Sequence, residues 1–329
     1  MNPVAIVTGS YGYIGSVLTK VLKESGYYVI GVDNDERSLA DWCSLSDSSR
    51  TKYCQRFFCA DFSSDVILSL IQSYPDATVF HLAANSLLGP SAYDPLSYFE
   101  NNTAKTLKLI QTLKPTNKLL FASTAAVYAE TDNVVTEASK ISPPNNYGLS
   151  KLWCEQMIDS CYEINKLRAA SFRFFNVIGA YEDVGQLPDT PHIVNRLCDK
   201  ALSGSSPFVI AGDDYETRDG TCVRDYFHVI DVCRALIHAD KYLTDKKPCS
   251  LKFNLGTHTG TTVKEIVDIF SKICSPVEYR VGLRRVGDPS FLVANPDKFK
   301  ATGFIYKYKN TDLDIMIRDH WEYRRNARF

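Results

Sequence analysis

The sequence predicts an α/β fold: a doubly wound parallel sheet with helices on both faces, followed by a second, smaller α/β lobe. Three observations carry that expectation. Residues 1–175 alternate short β-branched runs with longer amphipathic ones, a glycine-rich turn links the first run to the first amphipathic stretch, and the rhythm breaks after Asn176. Strand and helix signals alternating in this way describe βαβ units, whose crossovers make the strands parallel.

In order, the apolar runs at 4–8, 28–33, 56–59, 78–82, 118–122 and 169–174 suit buried strands, being short and rich in branched and aromatic side chains. Between them, 14–25, 64–73, 95–113 and 147–165 repeat apolar residues at three and four, the spacing of a helix face. The serine-rich stretch 41–52 reads as a surface connection. Beyond Asn176, Gly, Pro and Asp punctuate 179–191, 204–207 and 212–220, and the helical stretches shorten. The expected division is 1–175 for one lobe and 176–329 for the other, with part of 225–258 packing back on the first.

Composition narrows the function classes. The 329 residues are 45% hydrophobic and 23% charged, and 37 basic against 38 acidic side chains leave a formal charge of −1. Without a basic patch, neither nucleic acid nor an anionic membrane is an expected partner. Apolar runs fall well short of the ~20 residues of a membrane helix. The first run lacks a basic region before it, so the chain is expected to start at Met1 without a signal peptide. Ten cysteines with no C-x-x-C pair fit free thiols in a reducing cytoplasm. The histidines lack zinc-ligand spacing, so no metal is expected.

Two local patterns carry chemistry. Gly9, Gly12 and Gly15 follow the first strand and open the first helix as G-x-x-G-x-x-G, with Asp33 at the end of the second strand. Glycine lets the turn bend sharply and lets a pyrophosphate approach the amides at the helix N-terminus. Asp33 would accept the adenosine ribose hydroxyls and repel a 2′-phosphate, which favours NAD over NADP; Arg37 is the one nearby feature that could admit NADP. Downstream, Tyr147 and Lys151 stand four apart on one face of a helix start. A phenol titrates near ~10. The lysine, with an oxidised nicotinamide, is expected to lower that value by several units and make Tyr147 a general base.

These residues, with the runs His81-Leu82-Ala83-Ala84 and Phe121-Ala122-Ser123-Thr124, resemble the extended short-chain dehydrogenase/reductase family. Within it the chain is similar, almost from end to end, to nucleotide-sugar 4-epimerases. The resembling stretches include Asn101-Asn102, 173–180, 212–226, Phe253-Asn254-Leu255-Gly256 and 284–289, and the run 219–226 (D-G-T-x-V-R-D-Y) is the most discriminating of them. The resemblance implies a Rossmann-type NAD lobe and a lobe for a UDP-sugar. It implies interconversion of UDP-galactose and UDP-glucose, or else action on another nucleotide sugar (pentose, uronic or N-acetyl), as 4-epimerase or 4-reductase. Thr124 would bond the sugar O4, Tyr147 would be the base, and Lys151 would hold the nicotinamide ribose.

By the same resemblance, Tyr13, Ile14, Asn34, Asp61, Phe62, Leu82, Ala83, Ala84, Asn101, Ser123 and Phe174 would line the cofactor, with Asp61 at the adenine amino group. Asn176, His192, Ile193, Arg224, Arg285 and Asp288 would grip UDP, the two guanidinium groups on the diphosphate and Asp288 on the uridine. Relatives that dehydrate or decarboxylate carry acidic residues after the catalytic threonine. Here Ala125 and Ala126 stand there, and alanine moves no proton. Stretches 95–113 and 147–165 carry apolar side chains on more than one face, among them Phe99, Leu107, Leu152 and Trp153, which implies a homodimer paired through these helices, as in the family.

Overall fold

The computed structural model describes residues 2–34, 52–188, 190–204, 206–285, 287–308 and 312–327. The serine-rich connection 41–52, apart from Lys52, and Arg37 lie outside the described residues.

The first six strands are β1 (Val4–Thr8), β2 (Tyr28–Asp33), β3 (Arg56–Cys59), β4 (Thr78–His81), β5 (Lys118–Thr124) and β6 (Arg168–Phe174). They pair in parallel, joined at one edge by β10 (Cys249–Leu255), in the order β10-β6-β5-β4-β1-β2-β3. Successive residues of a strand feed opposite faces. Ala5 and Val7 enter one core, while Ile6 enters the other. Helix α1 (Tyr13–Glu24) buries Val17, Leu18, Val21 and Leu22, the three-and-four face seen in the sequence. Helix α2 (Asp65–Ser73) buries Ile67 and Ile71.

The stretch 95–113 is not one regular helix. After a short α3 (Leu88–Tyr93), it divides into α4 (Pro95–Tyr98), a π-helical turn Phe99–Ala104, and α5 (Lys105–Thr112). The wider turn carries Asn102, whose side chain holds residues outside its own helix. Helix α6 (Asn146–Asn165) then leads into β6.

The second lobe packs α7 (Ile193–Ser203), α9 (Val263–Ile273) and α11 (Leu313–Asn326) around Val194, Leu197, Phe270, Met316 and Trp321. A small sheet runs through β9 (Val223–His228), flanked by β7 (Asn176–Ile178), β11 (Gly260–Thr262) and β13 (Phe291–Leu292). A parallel pair, β8 (Phe208–Ala211) with β12 (Tyr279–Gly282), and the short α10 (Asp297–Lys300) complete it. Between β9 and β10, α8 (Val229–Thr244) returns the chain to the first sheet. Its buried Asp240 accepts from Tyr27 Oη at 2.6 Å and Thr78 Oγ1 at 2.5 Å, which fastens it to that sheet.

Candidate active site

Strand order reverses between β1 and β4, so the crevice beyond their C-terminal ends is where an open parallel sheet takes its ligand. The glycine turn sits there. Gly9 has φ of +73°, and a Cβ on it would stand 2.7 Å from Ala83 N. A Cβ on Gly15 would stand 1.9 Å from the Gly9 carbonyl oxygen, so only hydrogen fits between turn and helix. Gly12 precedes α1 with no side-chain cap, and the first turn holds no acidic residue. The leading amides of the helix, which includes Tyr13 and Ile14, thus keep their donors for an anion. At the end of β2, Asp33 accepts from Tyr11 N at 2.8 Å, and Asn34 follows it into solvent. An uncapped helix start and a carboxylate one strand away fit the pyrophosphate and ribose of NAD.

Further along the crevice, Leu82, Ala83 and Ala84 follow β4 and are half-buried. His81, which the spacing did not single out, lies fully buried between Thr8 Oγ1 at 2.7 Å and Thr106 Oγ1 at 2.8 Å. Burial, then the nearby Lys151 charge, pushes its pKa down to about 3, so it is a neutral strut. Asp61, beside buried Phe62, accepts from Ser63 N and Oγ and from Lys105 Nζ at 2.6 Å. Burial opposes ionisation there, but the Lys105 and Ser63 bonds outweigh it and hold the carboxyl below its usual range. Lys105 also reaches Asn101 Oδ1 at 3.2 Å.

Asn102 does the fastening that the sequence assigned to neither asparagine. Its Oδ1 accepts from Asn85 N at 2.8 Å, while its Nδ2 donates to Asn85 O at 2.9 Å and Ser150 Oγ at 3.0 Å.

The candidate catalytic group forms where β5 meets α6. Asn145 caps the helix by accepting from Gly148 N at 2.8 Å. A Cβ on Gly148 would stand 2.2 Å from Ala126 O, so this glycine lets the helix start press against the turn after β5. That approach sets the Tyr147 phenol near the Thr124 hydroxyl, which eases its ionisation. Lys151, one turn on, is buried and donates to Ala122 O at 2.8 Å. Ser123 is buried between them in sequence, and Phe174 ends β6 alongside.

Burial raises the Tyr147 phenol to about 12, the Thr124 hydroxyl offsets this only in part, and the edge-on ring of Tyr98 adds to the rise. Lys151 follows one turn along the helix. Its ammonium points to a backbone carbonyl, and burial brings its own pKa down to about 8.

Among the expected UDP residues, Asn176 donates to Asp225 O at 3.3 Å. Arg224 is buried, paired directly with Asp288, and donates to Pro289 O at 2.7 Å. Arg285 is exposed. His192 stands at the N-cap of α7 without a side-chain cap, and Ile193 begins that helix. Much of the 219–226 run is scaffolding. Asp219 takes Thr221 N, Thr221 Oγ1 and Thr262 Oγ1, and Asp225 takes Thr257, His258 and Ala294 amides.

No helix among the described residues is long and apolar enough to cross a membrane. Residues 5–256 match the model of the NAD dependent epimerase/dehydratase family. A UDP-glucose 4-epimerase of Halalkalibacterium halodurans is 34% identical over 97% of this chain and 95% of its own. The crystal structure of UDP-glucose 4-epimerase from Brucella ovis in complex with NAD superposes with a TM-score of 0.87 at 32% identity, covering 98% of each chain. A second, from Stenotrophomonas maltophila with bound NAD and formylated UDP-arabinopyranose, gives 0.87 at 31%, covering 99% of this chain and 98% of that one. With its uncapped glycine turn, its Asp33 and its Thr124–Tyr147–Lys151 group, the chain belongs to the NAD dependent epimerase/dehydratase family.

Proposed function

We propose that this chain interconverts UDP-galactose and UDP-glucose by inverting the carbinol at sugar C4. The observation that carries the reading is the meeting of Tyr147 with Thr124 at the end of β5, with Lys151 bonded to Ala122 O one turn on, in a chain whose relatives bear that activity in their names.

The chain's residues divide the work. Gly9, Gly12, Tyr13, Ile14 and Gly15 would take the cofactor pyrophosphate; Asp33 and Asn34 its ribose; Asp61 and Phe62 its adenine. Leu82, Ala83, Ala84, Asn101, Ser123 and Phe174 would line it toward Tyr147 and Lys151. When bound, NAD supplies the hydride acceptor and donor for C4 and, oxidised, the positive charge that favours the phenolate. Tyr147 takes the O4 proton and later returns it, while Thr124 holds that oxygen. The 4-keto sugar must turn between the two steps. Binding energy therefore belongs on the remote nucleotide, through Asn176, His192, Ile193, Arg224, Arg285 and Asp288. A diphosphate would share Arg224 with Asp288. Ala125 and Ala126 leave no second acid or base, which favours epimerisation over dehydration.

The proposed lobes are 1–175 for NAD and 176–329 for the UDP-sugar, with α8 and β10 returning to the first. Tyr93 and Leu96, 92% and 75% exposed, and the Trp153 ring against Phe99 support a homodimer through α3 to α6. The nine described cysteines are free thiols, which supports a cytoplasmic setting.

The test is conversion of UDP-galactose to UDP-glucose without net NADH, alongside pentose, uronic and N-acetyl analogues. Tyr147→Phe should lower kcat about 10²–10⁴-fold with little change in KM. Full activity in that variant would remove Tyr147 from the chemistry.

A further inference from the structure

A buried ion pair lies one helical turn beyond Lys151, and no step above uses it. Glu155 of α6 and Arg173 of β6 are 0% and 2% exposed. Arg173 Nε reaches Glu155 Oε1 at 3.0 Å and a terminal nitrogen reaches Oε2 at 2.7 Å, a two-pronged pairing. Such pairs seldom add net stability over an apolar pair of the same size, because both charges must leave water. Its placement gives it another use.

Ser123, Arg173 and Asn254 form a row across three adjacent strands, since Ser123 is the register partner of Arg173 and Arg173 that of Asn254. Ser123 Oγ and Arg173 both bond Glu155. Tyr128 Oη closes the far end, accepting from Arg173 at 2.9 Å and donating to Asn254 Oδ1 at 2.6 Å. Tyr147, Lys151 and Glu155 are spaced by four on one face of α6. Each meets one of three successive β5 residues: Tyr147 meets Thr124, Lys151 meets Ala122, and Glu155 meets Ser123. The second is a single hydrogen bond, and nothing charged ties the first. Only the third is anchored by a charge that the neighbouring strand holds.

We propose that Glu155, clamped by Arg173 and tied to Ser123, is a positioning residue that fixes how far α6 slides along β5 and so keeps the Tyr147 phenol on Thr124 for proton transfer. The proposal rests on the C4 epimerisation reading. A slip of about 1 Å at a reacting group costs on the order of 10²-fold in rate.

Two variants test it in the NAD-loaded protein. Ser123→Ala leaves the ion pair intact and removes one tie. It should lower kcat for UDP-galactose about tenfold, hold KM within twofold, and shift the acidic limb of the kcat–pH profile upward. Glu155→Gln should lower kcat about a hundredfold in the same pattern. Crystal structures of the variants should show the Tyr147 phenol displaced from Thr124 relative to wild type. A Tyr147 phenol unmoved relative to Thr124 in Ser123→Ala overturns the proposal whatever the substrate, as does wild-type kcat with an unshifted profile. Wild-type protein inert toward UDP-galactose would instead fail the functional reading, with the crystallographic comparison still deciding the positioning role.

Discussion

Desolvation decides the charge states at the heart of this molecule. Burial holds Tyr147 near 12, with the Thr124 hydroxyl offsetting only part of the rise, and burial brings Lys151 down to about 8. The i, i+4 spacing of the two residues was visible in the sequence, but spacing does not say where an ammonium points; Ala122 O does. The buried histidines follow the same rule. His81 and His320 are lowered to about 3 from 6.5, chiefly by burial. Between those values the unfolded chain binds protons that the folded chain refuses, so stability falls as pH drops from ~6.5, by up to about 1.4 kcal/mol per unit for each histidine.

Asp225 works the other way. Its pKa is raised to about 6 by burial, so the folded form takes a proton first and gains stability between about 6 and 4. Two groups outweigh one. The urea midpoint should therefore fall from pH 7 to pH 5, and His81→Gln should shrink the drop; a midpoint that rises would contradict the burial of these rings.

At the scale of elements, the alternating runs were legible because parallel strands buried on both faces must be short and apolar, and their helices must show a three-and-four stripe. All six strands of residues 1–175 are present within two residues of expectation. What periodicity could not show is the π-helical turn Phe99–Ala104, since one wide turn barely disturbs an apolar stripe yet redirects Asn101 and Asn102. Asn102→Ala removes three bonds that tie the 85 loop to α6, two of them to the Asn85 backbone. It should cost about 1–3 kcal/mol in Tm-derived stability and weaken NAD retention, read by cofactor content after gel filtration. A variant as stable and as fully loaded as wild type would assign the turn no such part.

The edge strand β10 posed a different problem. Nothing local in Cys249–Leu255 names the sheet it joins; its place beside β6 is fixed by α8 and the Asp240 bonds, contacts across more than 100 residues. The UDP residues were the least legible, because arginine and aspartate serve ligands and ion pairs alike, and the sequence does not show that Arg224 pairs with Asp288, 64 residues on.

Across the whole molecule, the cofactor turn and the second lobe are joined directly. Tyr13 Oη donates to Gly179 O at 2.6 Å, and Gly179, with φ of +91°, is packed so closely on His228 that a Cβ would stand 2.3 Å from the ring. A direct seam of this kind suits the proposed division, in which one lobe holds the nucleotide end of the substrate while the sugar meets residues of the other. Assembly belongs to this scale too. Leu96→Glu with Tyr93→Glu should yield monomers in light scattering if the proposed helix face pairs, and an unchanged mass would move the interface elsewhere.

In the proposed reaction one carbon is oxidised and then reduced again by the same hydride. The decisive measurement follows UDP-galactose carrying deuterium at C4 through turnover in ordinary water. UDP-glucose should keep the deuterium at C4, the label having been stored and returned; deuterium lost to solvent would show instead that C4 is deprotonated and would rule out hydride return.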